Sequence, residues 1–461
     1  MSIVGAFMVP HPPMIVPDVG RGSEEQIVST TQAYNQVADE IAALKPETII
    51  ISSPHSVMYA DYFHISPGRA ALGSFKQFGA GNVKFNIDYD EQLTKYLSKL
   101  ADEQQFPAGT MGERDRELDH GTMVPLYFIT KKYTDFKLVR TGLSGLDLLT
   151  HYQYGMMIKK AIEDLDRRVV YVASGDLSHK LQDYGPYGFA QEGPKYDDRI
   201  MDVCSHARFN ELLDFDEQFL DKAAECGHRS FVIMAGSLDG VNVDAKQLVH
   251  EDITGVGYGI CTFTPTGPDE DRHFLDKILR DKENAMMVRR DNEDEYVKLA
   301  RASLEYYVKN HSRMATPKQL SEGLVNRRAG AFVSVHKNGQ LRGCIGTILP
   351  TQDSLAEEII NNAISACSKD PRFNPIEEDE LKWLEISVDV LGDPEPIDSH
   401  DKLDVKRYGV IVESGYKRGL LLPDLDGVDT VEEQIDIARQ KAGIPAGTKL
   451  QLSRFEVVRH H

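Results

Sequence analysis

Four histidines and one acid in this sequence have the types and spacing for metal chemistry. His11 sits in VPHPP, directly after the apolar run Ile3–Val9 and locked between Pro10 and the pair Pro12-Pro13. His55 repeats that grammar at the end of ETIIISSPH: apolar run, proline, imidazole. His179 lies in GDLSHKL after RVVYVAS, with Asp176 just before it, and His120 lies in ELDHGTMVPLYF beside Asp119. Glu225, in KAAECGHRSF, is the carboxylate candidate, with Cys226 and His228 as rival donors. Two neutral imidazoles and a carboxylate on one face of a metal leave open positions for substrate and dioxygen. These donor types suit Fe(II), Mn(II) or Zn(II) alike. One histidine among prolines more often packs than binds. Three that directly follow strands are harder to ascribe to accident.

Those residues need a scaffold that gathers strand ends. Apolar strands are predicted at Glu47–Ser53, Phe136–Ser144 and Arg168–Ser174, with a closing strand at Gly257–Pro265. Amphipathic helices are predicted from Glu24 to Ala43, from Leu149 to Leu165, and opening at His228. Alternation of this kind means an α/β layer domain with a largely parallel sheet. In such sheets the loops after the strands converge on one crevice. Asp176 either orients an imidazole there or caps its own turn. Tyr184 and Tyr187 read as loop residues that could also wall the crevice. His64, His151, His206, His250 and His273 lack strand-end context and read as surface or core residues.

Composition narrows the classes. The 461 residues exceed one ordinary core, so two or three domains are expected. A net charge of −20 argues against nucleic acid and against an anionic membrane surface, and suits a cytoplasmic protein. The N-terminus lacks a signal-peptide pattern, and no apolar segment is long enough to span a bilayer. Five scattered cysteines without CxxC spacing exclude a disulfide framework and a four-cysteine zinc site. His460 and His461 are given no role.

VPHPP, SSPHS, LDHGTMVPL, SGDLSHKL and AECGHRS, in this order, resemble the class III extradiol ring-cleaving dioxygenases of LigB type and their relatives, the Memo proteins. The resemblance implies a layered α/β domain over residues 1–266, with a central mostly parallel or mixed sheet. It implies His11 and His55 as metal ligands, His179 as an acid/base and His120 as a further histidine on the substrate side. The dioxygenases supply a glutamate as third ligand, whereas Memo proteins carry a cysteine followed by glycine. This chain has both, adjacent. Glu225 is preferred because a hard carboxylate completes an Fe(II) face, and Cys226 would favour Cu(I) or Zn(II). The implied cofactor is Fe(II), with Zn, Mn or Cu as alternatives. A catechol-like substrate would chelate the metal while His179 takes and returns a phenolic proton. Ring opening with dioxygen is the default reaction, and non-oxidative carbon–carbon cleavage is a variant. The competing expectation is a Memo-like module that binds a metal or a peptide.

The C-terminal part has a different grammar. A charged linker, 267–292, precedes a predicted helix Glu295–Asn310, and Asn338-Gly339 signals a type I′ hairpin within Gly330–Thr347. A helix Ser354–Ala366, a strand Leu384–Leu391, a hairpin in Tyr408–Asp424 and a helix Val431–Gly443 complete an α+β module. LRGCIG (Leu341–Gly346) and DPRFNPI (Asp370–Ile376) resemble the AMMECR domain, over residues 293–461. That fusion implies a radical SAM protein as an associated partner, beside a small phenolic substrate and an open homo-oligomeric state. Cys344 reads as a small residue packed in a strand. As a nucleophile it would need a base such as His336 on the facing strand. Arg342 has a planar charged head suited to a carboxylate or phosphate.

Overall fold

The computed structural model describes residues 2–112, 117–337, 339–425 and 427–461. It divides into two units, Met1–Leu279 and Arg280–His461. No helix among the described residues is long and apolar enough to cross a membrane.

The N-terminal unit is organised by one mixed sheet of β1 (Ile3–Val9), β2 (Thr48–Ser52), β3 (Lys137–Thr141), β4 (Val169–Ser174), β5 (Val241–Glu251) and β6 (Tyr258–Pro268). Their order is β3-β2-β4-β1-β6-β5. The first four are parallel, and β6 and β5 add antiparallel at one edge. Every residue of β2 and β4 is buried, as expected for strands covered on both faces. Side chains alternate between two cores. Ala6, Met8, Ile50 and Tyr171 enter one, while Phe7, Val9, Ile49, Ile51, Val170 and Val172 enter the other. A one-residue slip would exchange the two sets, each large side chain being worth about 1.5–3 kcal/mol on burial, so the register is fixed.

Two consequences position the site. β4 inserts between β1 and β2 although it follows both in sequence. The three loops that carry His11, His55 and Asp176–His179 therefore leave neighbouring strand ends on the same edge. Gly175, just past β4, lies so close to Gly227 that a Cβ on it would meet the Gly227 Cα at 2.0 Å. Only glycines at both positions let the Cys226 loop reach this edge.

Two expectations shift. The predicted helix from Glu24 begins as a 3-10 segment, Ser23–Ile27, and becomes α-helical only at α1 (Val28–Leu44). The closing strand runs on to Pro268, because β5 keeps pairing with it as far as Val241. The stretch after His120 is helical, α2 (His120–Ile129), with Asp119 as its N-cap. The charged run beyond the sheet is also helical, Phe274–Asn292.

In the C-terminal unit, α3 (Glu295–Asn310) and α4 (Leu355–Ser368) pack on β7 (Ala331–Lys337), β8 (Gln340–Gly346) and β9 (Leu384–Leu391). β10 (Tyr408–Ser414), β11 (Lys417–Leu421) and α5 (Val431–Lys441) form a second core around Val410, Val412 and Ile435. β12 (Gln451–His460) joins the halves, pairing with both β9 and β10. His460, given no role from sequence, is part of this strand and stacks on Tyr296 at 3.8 Å. β7 and β8 pair antiparallel up to Lys337↔Gln340. Asn338, which would define the turn type, lies outside the described residues.

Candidate metal centre

His11 is held at backbone and ring. Its N–H donates to Asp176 Oδ1 at 2.6 Å, and the Tyr34 hydroxyl donates to the preceding carbonyl of Pro10. The ring Nδ1 lies 3.0 Å from Ser174 Oγ, the last residue of β4. That hydroxyl already donates its one proton to the Gly121 carbonyl at 2.6 Å. It must accept from His11, so Nδ1 carries the hydrogen and Nε2 carries a lone pair. Nε2 is 3.0 Å from His55 Nε2 and 3.6 Å from Cys226 Sγ. These three donor atoms all lie within 4.8 Å of one another.

His55 is fixed through its loop. Its N–H donates to Ser53 Oγ at 3.2 Å, and Ser53 Oγ donates to Asp119 Oδ1 at 2.6 Å. Asp119 also caps α2, accepting from Thr122 N at 3.0 Å, and its other oxygen lies 3.6 Å from the buried Arg140 guanidinium. One carboxylate thus ties the His55 loop to the helix that starts with His120. The His120 ring lies 4.0 Å from that of His55, and Phe78 meets His120 edge-on at 5.4 Å. A hollow of about 960 Å³ opens here, bordered by His55, His120, Phe78 and Lys76.

His179 faces the same centre from the β4 loop. With Asp176 and Cys226 it forms a second group of three donors within 4.8 Å, so the sulfur is common to both groups. Its Nε2 is buried and has no hydrogen-bond partner among the described residues, and Tyr187 stacks on its ring at 5.0 Å.

Three sequence candidates are placed differently from the other donors. Glu225 belongs to neither donor group. Its carboxylate accepts the His228 N–H at 2.6 Å, at the start of the helix His228–Ser237. Helix starts have orphan N–H groups that draw such a carboxylate, and the adjacent Cys226 turns the other way, toward β4. There Asp176 N donates to Cys226 Sγ at 3.3 Å. His228 is no donor either: its ring is buried between Leu212 O and Tyr196. Asp176 orients His11 through the main chain and makes no hydrogen bond to an imidazole. Ser174, which sets the His11 tautomer, had no signal in the sequence beyond ending a strand.

Residues 5–261 match the family described as the catalytic LigB subunit of aromatic ring-opening dioxygenase. The chain belongs to the LigB family. Residues 297–460 match AMMECR1, so a LigB domain is followed by an AMMECR domain. A Clostridium acetobutylicum protein is 40% identical over 100% of this chain and 99% of its own length. A Thermotoga maritima protein is 51% identical over 36% of this chain and 98% of its own. An uncharacterised Pyrococcus horikoshii protein of known crystal structure is 33% identical, covering 36% of this chain and 88% of that one, at a TM-score of 0.34.

Electrostatics of the LigB domain favour lone pairs at this centre. Burial, followed by the neighbouring imidazoles His55, His120 and His179, holds His11 well below the usual histidine range. Burial also lowers His55 and brings His120 and His179 down to about 4. All four are neutral near pH 7, the form that ligates metals. Burial lifts Asp176 to about 7 and pushes the Cys226 thiol well up, with the charges of Asp176 and Glu225 adding to the latter. A cation placed among these groups inverts that preference and ionises the thiol. Two imidazole nitrogens and a sulfur fit a late first-row ion, and the sulfur favours the softer members.

In the AMMECR domain the two signature strings hold each other. Arg342 of LRGCIG donates to the carbonyls of Asn374 and Pro375 in DPRFNPI, and forms a two-point pair with Glu380 at 2.8 and 3.0 Å. Asp370 of the second string accepts the Cys344 N–H at 2.9 Å. The suspected Arg342 anion site is therefore filled by the protein's own groups. Cys344 faces Ser334, not His336, across the strands, because His336 lies next to the turn and pairs with Leu341.

Proposed function

We propose that the LigB domain is a metalloenzyme acting on a small phenolic or other cyclic molecule, with one late first-row ion held by His11, His55 and Cys226. Fe(II) is the preferred ion for ring opening with dioxygen, with Zn, Mn or Cu as alternatives. The observation that carries this reading is the convergence of two Nε2 atoms and one Sγ within 4.8 Å, with the lone pair of His11 directed inward by Ser174. When bound, such an ion supplies a positive centre that acidifies a substrate hydroxyl. His179 is placed to take the released proton at its unpartnered Nε2. Burial keeps its pKa at about 4, which makes the proton easy to return. His120 and Phe78 border the entrance, where an aromatic ring would lie against them. Tyr187, stacked on His179, excludes water from the far side.

Metal analysis after oxygen-free purification tests the ligand set. Metal lost from His11→Ala and Cys226→Ala but kept in Glu225→Ala supports it, and metal kept in all three refutes it. Catechol ring opening, followed by the absorbance of the yellow product in air, then tests the reaction. A second reading, a Memo-like metal-binding module without turnover, is favoured by a thiol standing where a carboxylate would complete the Fe(II) face. Bound metal with unchanged catechol would select it.

A further inference from the structure

The outer face of the C-terminal sheet carries short polar residues in its middle. Ser334 on β7 is the direct cross-strand partner of both Cys344 on β8 and Ser387 on β9. Their chain neighbours Val333, Val335, Ile386 and Val388 enter the core on the opposite face, as a two-residue period requires. Short side chains between taller walls leave a hollow of about 1000 Å³, bordered also by Arg372, Arg459 and His336. That is the size of a small-molecule site.

The hollow presents hydrogen-bond donors. Arg372 lies on Asp370, donating through Nε at 2.9 Å and Nη2 at 2.7 Å. The same carboxylate also accepts the backbone N–H groups of Cys344 and Arg372. Arg459 lies on Asp389 in the same manner, through Nε at 2.8 Å and Nη2 at 3.3 Å. Both aspartates are buried, at 5% and 3% exposure; Asp370 lies behind the wall, Asp389 borders the hollow beneath Arg459, and both guanidinium groups line it. Neither arginine donates a hydrogen bond from Nη1 to any described residue. The acids that border the hollow, Glu293, Glu385, Asp389 and Asp424, are paired with Arg301, Arg289, Arg459 and Lys406. Guanidinium planes fixed from beneath are preorganised for an oxyanion. Arg372 Nη2 also reaches the Cys344 carbonyl at 3.3 Å, which puts guanidinium and thiol on one wall.

We propose that this hollow of the AMMECR domain binds a small molecule through a phosphate or carboxylate group seated on Arg372 and Arg459, beside the Cys344 thiol. Alkylation of the full chain by anionic iodoacetate and by neutral iodoacetamide, read at Cys344 by peptide mass spectrometry, tests it. Cys204, Cys261 and Cys367 are buried and serve as internal controls. The iodoacetate-to-iodoacetamide rate ratio at Cys344 is expected to exceed that of glutathione about fivefold, the effect of one unit charge near 4 Å in water. It should fall to the glutathione value in the Arg372→Gln, Arg459→Gln double variant. At constant ionic strength, slowing of the reaction by inorganic phosphate assigns a phosphate ligand, and slowing by malonate assigns a carboxylate. A ratio equal to that of glutathione, with no protection by either anion, overturns the proposal. If the double variant loses its native circular dichroism, the wild-type ratio and protection decide.

Discussion

At the carboxyl ends of β1, β2 and β4 the N-terminal unit brings lone pairs together, whereas on the outer face of β7, β8 and β9 the C-terminal unit gathers N–H donors. In the first, His11 is buried, His55 and His179 are held neutral beside it, and a thiol completes the set. In the second, guanidinium groups stand over buried aspartates that accept from them. Both hollows follow the same rule, that uncompensated polar groups converge where a ligand will satisfy them. They differ in sign. As proposed, the one would take a cation and the other an anion, within a chain whose net charge is −20.

The comparison breaks most visibly if the sulfur is not a ligand. Cys226→Ala is expected to weaken metal binding more than about 100-fold, beyond what loss of an outer partner costs, as measured by competition with a chelator. Ser174→Ala should weaken it about 10–100-fold with the fold intact, because the His11 ring loses the acceptor that fixes its tautomer. Equal affinity in this variant would show that the lone pair is oriented by something else. Asp119→Ala should lower stability by about 1–2 kcal/mol through the lost cap of α2, read by denaturant titration. Its effect on metal binding should be the smaller one, since Asp119 touches the His55 loop and not the ring.

The smallest effect sharpens the anion side. Burial raises the Glu380 pKa, but hydrogen bonds from Arg342 and Lys337 more than reverse this and bring it to about 2. A carboxyl depressed in the folded state stabilises above its unfolded value near 4.3, and that contribution is lost as pH falls toward 2. Glu380→Gln should therefore flatten the fall in thermal midpoint over that window. An unchanged slope would mean that the Arg342 pair contributes nothing to holding the two signature strings together.

Much of this architecture was legible before any coordinates. Strands β1, β2 and β4 are continuous apolar runs stopped by proline or glycine, and α3 and β9 fall at the predicted residues because their periodicity is unbroken. α2 was harder to see. Its residues are buried nearly all round, so no amphipathic stripe marks them, and Asp119 reads as a site residue as readily as a cap. β5 alternates weakly, since much of it is exposed at the sheet edge.

Local pattern alone determined that imidazoles would follow strand ends, because a strand that stops at proline must hand its next side chain to a loop. It also determined the donor types available and the break in grammar beyond Pro265. Only the tertiary structure decided that β4 lies between β1 and β2, which makes three distant loops neighbours. It likewise sent the side chains of Glu225 and Cys226, residues adjacent in sequence, in different directions. One met the N–H groups of a helix start and the other met an imidazole lone pair. The same holds for Ser174 and for the aspartates beneath Arg372 and Arg459. A hydroxyl or a carboxylate acquires its role from what lies within 3 Å of it, and for Ser174 that is His11, some 163 residues away in sequence.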